Sequence, residues 1–326
     1  MNYVGIDLSK EYFDATVLTR GGEESHEQFE NKATGFRAFQ RWLKQHQVSE
    51  AHICMEATNI YWEELAEFLY AQGYTVSVVN PARIKGFAMS QLQRNKTDKL
   101  DSKVIAGFCQ ALKPRAWRPP SASQRKLRSL VRHREALVKT RTQQKNRLAS
   151  CRDEDVRTSL ESLIAILDAE IERIDAQIAA YIDQDPALRE QKRLLSSIKG
   201  FGDTTVHILL AELYDLADYE DAHAAAADAG LTPAHYESGD TVRRKPKMSK
   251  VGKAAVRGAL YWPAITAIRT NPIVQALAQR LEAQNKHNKV IIGAAMRKLI
   301  HLAYGVLKNR TPFDPNYNSP AQPVTT

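Results

Sequence analysis

Four carboxylates in the N-terminal part of the chain have a spacing that could hold a metal ion. Asp7 and Glu56 each directly follow a short apolar run that predicts a strand, and Asp98 and Asp101 lie three apart on one face of a predicted helix. Converging carboxylates bind a hard cation such as Mg²⁺, and paired ions activate a nucleophile and stabilise a leaving oxygen in phosphodiester chemistry. The alternative is that acids are common at strand ends, and that Asp98 and Asp101 only favour the helix dipole.

A serine in the C-terminal third is a second candidate for chemistry. Ser238 lies in the sequence Tyr-Glu-Ser-Gly, and seven basic residues follow it within twenty positions. Serine attacks a phosphodiester only when its proton is removed, and nearby cations stabilise the charge that develops. The alternative is that the Ser-Gly pair forms a turn. Ser249, in Met-Ser-Lys, is a rival that we interpret as a phosphate-binding residue inside the basic run.

The net charge of +9 is distributed unevenly along the chain. Residues 121–150 hold nine basic residues against one acid, 151–240 hold seven against twenty, and 241–326 hold fifteen against two. Two basic blocks around an acidic one indicate a polyanion site built from two separate elements, although long solvated helices often carry such runs. The candidate nucleic-acid-binding residues are Arg125, Arg128, Arg132, Lys139, Arg243, Arg244, Lys245, Lys247, Lys250 and Lys253.

The elements that must position the acids form a predicted α/β domain over residues 1–120. Three short strands are followed by alternating helices and strands, which is typical of a mixed sheet. An aspartate leaving the first strand of such a domain is the ribonuclease-H-like arrangement, and this strengthens the metal-site interpretation. The patterns predict strands at 3–6, 13–18, 26–29, 51–55 and 75–79, and helices at 34–45, 62–70 and 99–112.

The pattern at residues 121–186 predicts an antiparallel helical hairpin, or coiled coil, whose first helix carries the first basic block. Apolar residues recur at steps of three or four in its second helix, which is a heptad seam. This seam is either intramolecular or a subunit interface. The seam residues are Leu160, Leu163, Leu167, Ile171, Ile174 and Ile178.

The pattern at residues 187–310 predicts a second, mostly helical domain, so that the fold class is α/β plus α. The turn at 199–202 resembles a helix-hairpin-helix turn, which presents backbone N–H groups to a phosphate, or it is a simple packing unit. We expect 231–253 to be irregular. The proline-containing tail at 311–326 is predicted to be disordered.

Composition excludes several classes of protein. The apolar residues are dispersed, with no run approaching about 18 residues, so we expect neither a transmembrane helix nor a membrane partner. Charged residues in the first fifteen positions argue against a signal peptide. The three cysteines form no Cys-x-x-Cys pair, which suits a reducing bacterial cytoplasm and argues against a structural zinc site.

Several longer motifs together resemble one family of mobile-element enzymes. They contain all four N-terminal acids and Ser238, and they follow one another in the same order nearly end to end. The chain is similar to the DEDD-motif insertion-sequence transposases of the IS110 group, which are related to the Piv-type DNA invertases. The matching segments are residues 3–7, 53–58, 94–101, 230–239 and 248–252.

The resemblance implies roles for the candidate residues. It implies that the first domain is similar to the RuvC Holliday-junction resolvase and that Asp7, Glu56, Asp98 and Asp101 hold catalytic Mg²⁺. It also implies that Ser238 is the nucleophile, joined covalently to DNA during strand transfer. The sequence departs from the family pattern at Asn59-Ile60, beside one acid, and at Lys199, where the family favours proline.

The resemblance further implies partners. They are target and donor DNA, a noncoding bridge RNA that pairs with both, and further copies of the chain in a homodimer or homotetramer. The expected function is therefore RNA-guided excision and insertion of a mobile element in association with the nucleoid. The alternative is a metal-dependent Holliday-junction nuclease or site-specific invertase without a guide RNA. A third interpretation is a non-catalytic nucleic-acid-binding module.

Overall fold

The computed structural model describes residues 1–57, 59–91, 98–238, 242–249 and 251–316. At position 98 and in the ranges 234–238 and 242–247 it describes the backbone alone. The chain divides into two compact units, Met1–Pro119 and Pro120–Thr326.

The first unit is built on a five-stranded mixed sheet with strand order β3-β2-β1-β4-β5. β2 is antiparallel to both β1 and β3, and β4 and β5 run parallel to β1. The predicted α/β fold with a mixed sheet is thereby confirmed. The strands are β1 (Asn2–Leu8), β2 (Tyr12–Leu18), β3 (Glu24–Glu30), β4 (Ala51–Glu56) and β5 (Thr75–Val79).

Four helices complete the described part of the first unit, and the sequence analysis missed one of them. The missed helix, α3, begins at Pro81, and the side chain of Asn80 accepts a hydrogen bond from the Ala82 N–H. Asparagine at the N-cap followed by proline is a helix-start signal that was available in the sequence. The helices are α1 (Ala33–Gln45), α2 (Glu63–Ala71), α3 (Pro81–Ser90) and α4 (Asp98–Leu112).

The two faces of the sheet bury different side chains. One face holds an aromatic cluster in which Phe13 lies 5.5 Å from Phe39, between ring centroids, and in which Phe29 contacts Trp42. A smaller core, which includes Cys54 of β4 and Phe108 of α4, forms separately. Helix α4 therefore belongs to a core distinct from the aromatic one.

The second unit begins with the helical hairpin, formed by α5 (Ala122–Ser150) and α6 (Glu154–Gln184). The seam of α6 packs against α5, so it is intramolecular. Leu163 was wrongly assigned to this seam, because it is 41% exposed and Ile164 is buried in its place. A step of either three or four from Leu160 satisfies a helical period, and only the packing distinguishes them. The buried seam residues are Leu160, Ile164, Leu167, Ile171, Ile174, Ile178 and Ile182.

The remainder of the second unit is helical except for one two-stranded hairpin in its described part. The expectation that residues 231–253 are irregular was wrong, because most of them form this hairpin. Its second strand contains five charged or proline residues, which hide the alternation typical of a strand. The elements are α7 (Pro186–Ser196), α8 (Asp203–Glu212), a 3₁₀ turn (Leu216–Asp218), α9 (Ala222–Asp228), β6 (Pro233–Ser238), β7 (Val242–Met248), α10 (Ala254–Ala259), α11 (Tyr261–Thr270), α12 (Pro272–Ala283) and α13 (Asn288–Asn309).

Helix α13 is long and apolar enough to cross a membrane by length and composition alone. Leu299, Ile300 and Ala303 on this helix are buried in the core of the second unit, as expected of a central helix in a globular domain. After α13, the Phe313 N–H donates a hydrogen bond of 2.7 Å to Oγ of Ser197. The rest of the tail that was predicted to be disordered, residues 317–326, lies outside the described residues.

Candidate functional site

Two of the predicted acids lie side by side at one end of the sheet. β1 and β4 are parallel neighbours in which Ile6 is paired with Met55. Asp7 and Glu56 are the next residues along these strands, and both side chains are half-buried. Because neighbouring strands lie about 4.8 Å apart, the two acids share one edge of the sheet.

Helix α4 brings a third acid toward the same end. A Cβ added to Gly5 of β1 would overlap the backbone of Ser102 and Ala106, so the helix backbone lies directly on the strand. Oγ of Ser102 lies 2.7 Å from Oγ1 of Thr16, which anchors the first half of α4 over β1 and β2. Asp101 immediately precedes this contact and is half-buried.

The opposite end of α4 fixes the direction of the helix. Sγ of Cys109 lies 3.4 Å from the carbonyl oxygen of His52, at the start of β4. The N-terminus of α4, with Asp98 at its first position, is therefore directed toward the ends of β1 and β4 that carry Asp7 and Glu56. The close approach at Gly5 is what permits this placement.

The donor set suits Mg²⁺ in chemical type, because carboxylate oxygens are the ligands that this hard cation prefers. In the described part of the chain, no three His, Cys, Asp or Glu residues are grouped closely enough to hold a metal ion. The side chain of Asp98, the fourth predicted ligand, is not among the described atoms. The structure therefore places three acids at one end of the sheet, but it does not bring the three close enough together to form a metal-binding cluster.

The second candidate, Ser238, is the last residue of β6 and is paired with Val242 of β7. Ser238 is thus the last described residue before 239–241, which lie outside the described residues. The predicted basic residues Arg243, Arg244, Lys245 and Lys247 lie along β7, and Lys250 is outside the described residues. The strand that pairs with β6 thus contains four of the predicted cations, beginning next to the partner of Ser238.

The rival serine, Ser249, lies at the base of the hairpin. Its backbone N–H donates to the carbonyl oxygen of Thr232, 2.9 Å away, and its Oγ accepts from the Val251 N–H at 3.3 Å. The hydroxyl is therefore engaged by the backbone two residues further along the chain. Short polar side chains commonly bond to nearby backbone groups in this way.

The basic helix α5 uses several of its cations inside the second unit. Arg132 binds both carboxylate oxygens of Glu212, at 2.6 Å and 3.1 Å, and Nε of Arg128 lies 3.8 Å from the same carboxylate. Only 6% of the Glu212 side chain is exposed. Arg134 forms an ion pair with Asp175. The acids on α6 and α8 thus balance part of the first basic block.

The remaining predicted cations differ in their contacts. Arg125 and Lys139 are exposed, and Nη1 of Arg125 also donates to the Pro120 carbonyl at 3.2 Å. Lys253 has an internal role, because its Nζ donates to the Glu212 carbonyl at 2.8 Å and lies 3.0 Å from the carboxylate of Asp228. Contacts inside the second unit therefore distinguish cations that a count of charges treats alike.

Comparison with known proteins relates this arrangement to transposases. A transposase family model named for the DEDD motif and IS110 matches residues 4–154, and the model of the transposase IS116/IS110/IS902 family matches residues 192–279. The chain is 34% identical to the pilin gene-inverting protein of Moraxella lacunata, over 96% of this chain and 97% of that protein. The chain belongs to the IS110 transposase family.

Other relatives agree with this membership. The pilin gene-inverting protein of Moraxella bovis is 33% identical over the same shares of the two chains. A probable family 20 transposase of Pseudomonas aeruginosa is 22% identical over 97% of this chain and 99% of that protein. Membership of this transposase and DNA-invertase family implies that the chain has DNA recombinase activity. The family resemblance inferred from the motifs is thus confirmed.

The two IS110-family matches separate the candidate residues. The first match contains the four acids and all of α5, whereas the second contains Ser238 and the β6–β7 pair. The 199–202 turn also lies in the second match and connects α7 to α8. It packs internally: Gly200, with φ +108°, lies against Ala267, and Nδ2 of Asn271 donates to the Lys199 carbonyl at 3.1 Å.

Sequence analysis missed one buried acid in the first unit of this IS110-family chain. Asp14 of β2 is paired with Asp7 across the β1–β2 ladder, and only 8% of it is exposed. Nε2 of His26 lies 3.0 Å from Oδ1, and Nε2 of Gln28 donates to Oδ2 at 3.0 Å. The sequence did contain a signal for this acid, namely a charged residue inside an otherwise apolar strand. Such a residue, when buried, needs hydrogen-bond partners.

Proposed function

We propose that the chain is a Mg²⁺-dependent DNA recombinase that excises and inserts a mobile element, with Ser238 as nucleophile and a bridge RNA as guide. The observation that carries the proposal is the position of Asp7 and Glu56 at the ends of adjacent parallel strands, below the N-terminus of α4. A RuvC-like first domain is supported by the strand order and by the antiparallel and parallel pairing around β1.

In this proposal Asp7, Glu56, Asp98 and Asp101 hold Mg²⁺. The bound ion would stabilise negative charge on the reacting phosphate. The chain itself contributes the rigid placement of the acids: the contact between Gly5 and α4 holds the helix on β1. All four side chains would bind the ion through carboxylate oxygens, which are the ligands that Mg²⁺ prefers.

Ser238 supplies the attacking oxygen in the proposed cleavage step. Its Oγ forms a bond to phosphorus, the phosphorus–oxygen bond to the departing strand breaks, and the hydroxyl proton passes to a base or water. The cations on β7 support this role, because positive charge near the phosphate stabilises the developing transition state. Ser249 is a weaker candidate, because its Oγ already accepts a hydrogen bond from the Val251 N–H.

The proposed partners are target and donor DNA, a noncoding bridge RNA and further copies of the chain, as a homodimer or homotetramer in the bacterial cytoplasm. Guidance by base pairing leaves the protein to recognise backbone and shape. Exposed cations such as Arg125 and Lys139 on α5 suit that task. They support a polyanion partner for this helix.

A second candidate function is site-specific DNA inversion without a guide RNA. It is favoured by two relatives at 34% and 33% identity, which are pilin gene-inverting proteins. A metal-dependent Holliday-junction nuclease remains a variant of the same alternative. These alternatives predict that recombination proceeds without added RNA, and that nuclease chemistry proceeds without Ser238.

A reconstituted recombination assay tests the proposal. The full chain is incubated with DNA carrying the element ends, with and without RNA transcribed from the flanking noncoding DNA, in Mg²⁺ or in a chelator. We expect Asp7→Asn and Asp101→Asn to lower recombination by orders of magnitude, whereas Glu11→Gln, a change at an exposed acid, leaves it intact. Full activity of Asp7→Asn would contradict the metal site.

A denaturing gel tests the serine separately. Wild type should produce a slow, protease-sensitive protein–DNA band that is absent in Ser238→Ala and retained in Ser249→Ala. Strand joining by Ser238→Ala would favour the hydrolytic alternative. Recombination that is equally fast without RNA would contradict the proposed guidance by a bridge RNA.

A further inference from the structure

A cavity of about 530 Å³ lies among four helices of the second unit. Gly258 in its lining is exposed, and an added Cβ there would meet nothing within 4 Å. Ligand cavities commonly measure about 300–1,000 Å³, so the space is sufficient for a nucleotide-sized group. Its lining includes Glu135 of α5, Thr204, Thr205 and Ile208 of α8, Gly258 of α10 and Trp262 of α11.

Trp262 at the edge of this cavity is unusually exposed. Its exposed fraction is 72%, the highest among the large hydrophobic side chains in the described part of the chain. The ring of Tyr261 lies 5.5 Å away, nearly perpendicular to it, between ring centroids. An exposed indole beside a cavity offers a flat apolar surface, which suits stacking against another aromatic ring.

The polar groups around the cavity combine one acid with flanking cations. Glu135 is preceded by Arg132 and followed by Lys139 at helical spacing, so all three share one side of α5. Partial burial raises the pKa of Glu135, Arg134 lowers it, and Glu212 raises it. The exposed Lys139 suits a phosphate backbone, whereas Arg132 is already bound to Glu212. The single carboxylate in the lining, Glu135, is a hydrogen-bond acceptor.

We propose that this cavity binds one unpaired nucleobase with an exocyclic amino group, stacked on Trp262 and donating to Glu135. A carboxylate accepts from the N4 amino group of cytosine, whereas thymine presents a carbonyl oxygen at that position. An apolar protein side chain in the cavity would cover Glu135 without supplying a donor, which is costly. An unpaired base that has left the nucleic-acid stack can both stack on Trp262 and donate a hydrogen bond to Glu135.

This inference rests on the proposed function only in taking nucleic acid as the ligand. It does not depend on the metal site, on Ser238 or on the guide RNA. The cavity lies entirely within the second unit. Binding measurements without catalysis can therefore test it.

Fluorescence anisotropy provides the test, with the full chain and four DNA duplexes of the same flanking sequence. One duplex is fully paired, and the others carry a single bulged cytosine, thymine or abasic nucleotide. We expect wild type to bind the cytosine bulge roughly 5- to 100-fold more tightly than the abasic bulge, because stacking contributes on this scale. It should also prefer cytosine to thymine by roughly five-fold or more.

Three variants and one control assign the preference to the cavity. Trp262→Ala should bind the cytosine and abasic bulges equally, and Trp262→Phe should keep most of the preference because it keeps a ring. Glu135→Ala should bind cytosine and thymine bulges equally. Ile166→Ala, which removes a side chain that is 66% exposed on α6, should behave as wild type.

Specific results would overturn the inference. Equal loss on all four probes in Trp262→Ala would indicate a general polyanion surface. An altered oligomeric state in Trp262→Ala, with unchanged probe preference, would identify a protein occupant. Wild type that binds the paired and bulged duplexes equally would refute only the nucleobase site, whereas wild type that binds no nucleic acid would refute the proposed function as well.

Discussion

Arg132 of α5 holds the buried carboxylate of Glu212 on α8 through two hydrogen bonds, at 2.6 Å and 3.1 Å. A planar guanidinium matches a carboxylate in this two-bonded geometry. A cation of the basic block thereby joins the helical hairpin to the rest of the second unit. Its role in nucleic-acid binding remains a prediction, and its role in packing can be tested directly.

Replacing Arg132 by Met should destabilise the chain. The change removes two hydrogen bonds from a carboxylate of which only 6% is exposed, so we expect a loss of about 1–3 kcal/mol in the free energy of unfolding. Chemical denaturation measures the loss. Lys139→Met, at an exposed position of the same helix, is the control and should have little effect. Equal stability of the two variants would show that the pair contributes nothing.

Replacing Gly5 by Ala should displace α4 and reduce recombination. The added Cβ would overlap the Ser102 and Ala106 backbone, which cannot rotate away. We expect a loss of stability of about 1–3 kcal/mol or more, because overpacking forces the backbone to shift. Gly107→Ala on the same helix is the control, since its Cβ would lie 3.6 Å from the Phe87 side chain, an ordinary contact. Normal recombination by Gly5→Ala would argue against the need for close approach of α4.

The two basic blocks should respond to different nucleic acids. Neutralising Arg125 and Lys139 should flatten the dependence of RNA affinity on salt, by roughly one unit of slope for each cation that no longer pairs with a phosphate. Neutralising Arg243, Arg244 and Lys245 should weaken DNA binding more than RNA binding. Filter binding across a salt series, with RNA and duplex DNA probes, measures both effects. Equal weakening on both probes would leave only a general polyanion surface.

Stability should fall as the pH is lowered from 6.5 toward 4. Burial, together with the charges of Arg297, His223 and Lys298, lowers the pKa of His301 to about 4, whereas Asp221 opposes this shift. The unfolded chain therefore binds a proton that the folded chain excludes, and the slope for one such group is at most about 1.4 kcal/mol per pH unit. His301→Leu should reduce this acid sensitivity in thermal unfolding at several pH values. An unchanged pH dependence in the variant would assign the effect to other groups.

The local pattern of the chain determined much of the fold and several candidate residues. Apolar runs followed by Asp7 and Glu56 predicted strands that end in acids, because side-chain alternation and strand ends are local properties. The ordered motifs predicted the family. The long helices of the hairpin were also predictable, because proline is absent over residues 121–185 and the apolar period is regular.

Only the tertiary structure decided which residues meet. Leu163 and Ile164 both satisfy a helical period, and packing against α5 selected Ile164. The pairing of β6 with β7 was not predicted, because the charged residues of β7 mask the pattern of a strand. Only its pairing with β6, several residues earlier in the chain, makes it a strand. Asp14 beside Asp7 depends on pairing in the same way. Arg132 was counted as a surface cation because its partner, Glu212, is 80 residues away. Local sequence sets the conformation of each segment, whereas burial and pairing energies between distant segments decide which charges remain exposed to a ligand.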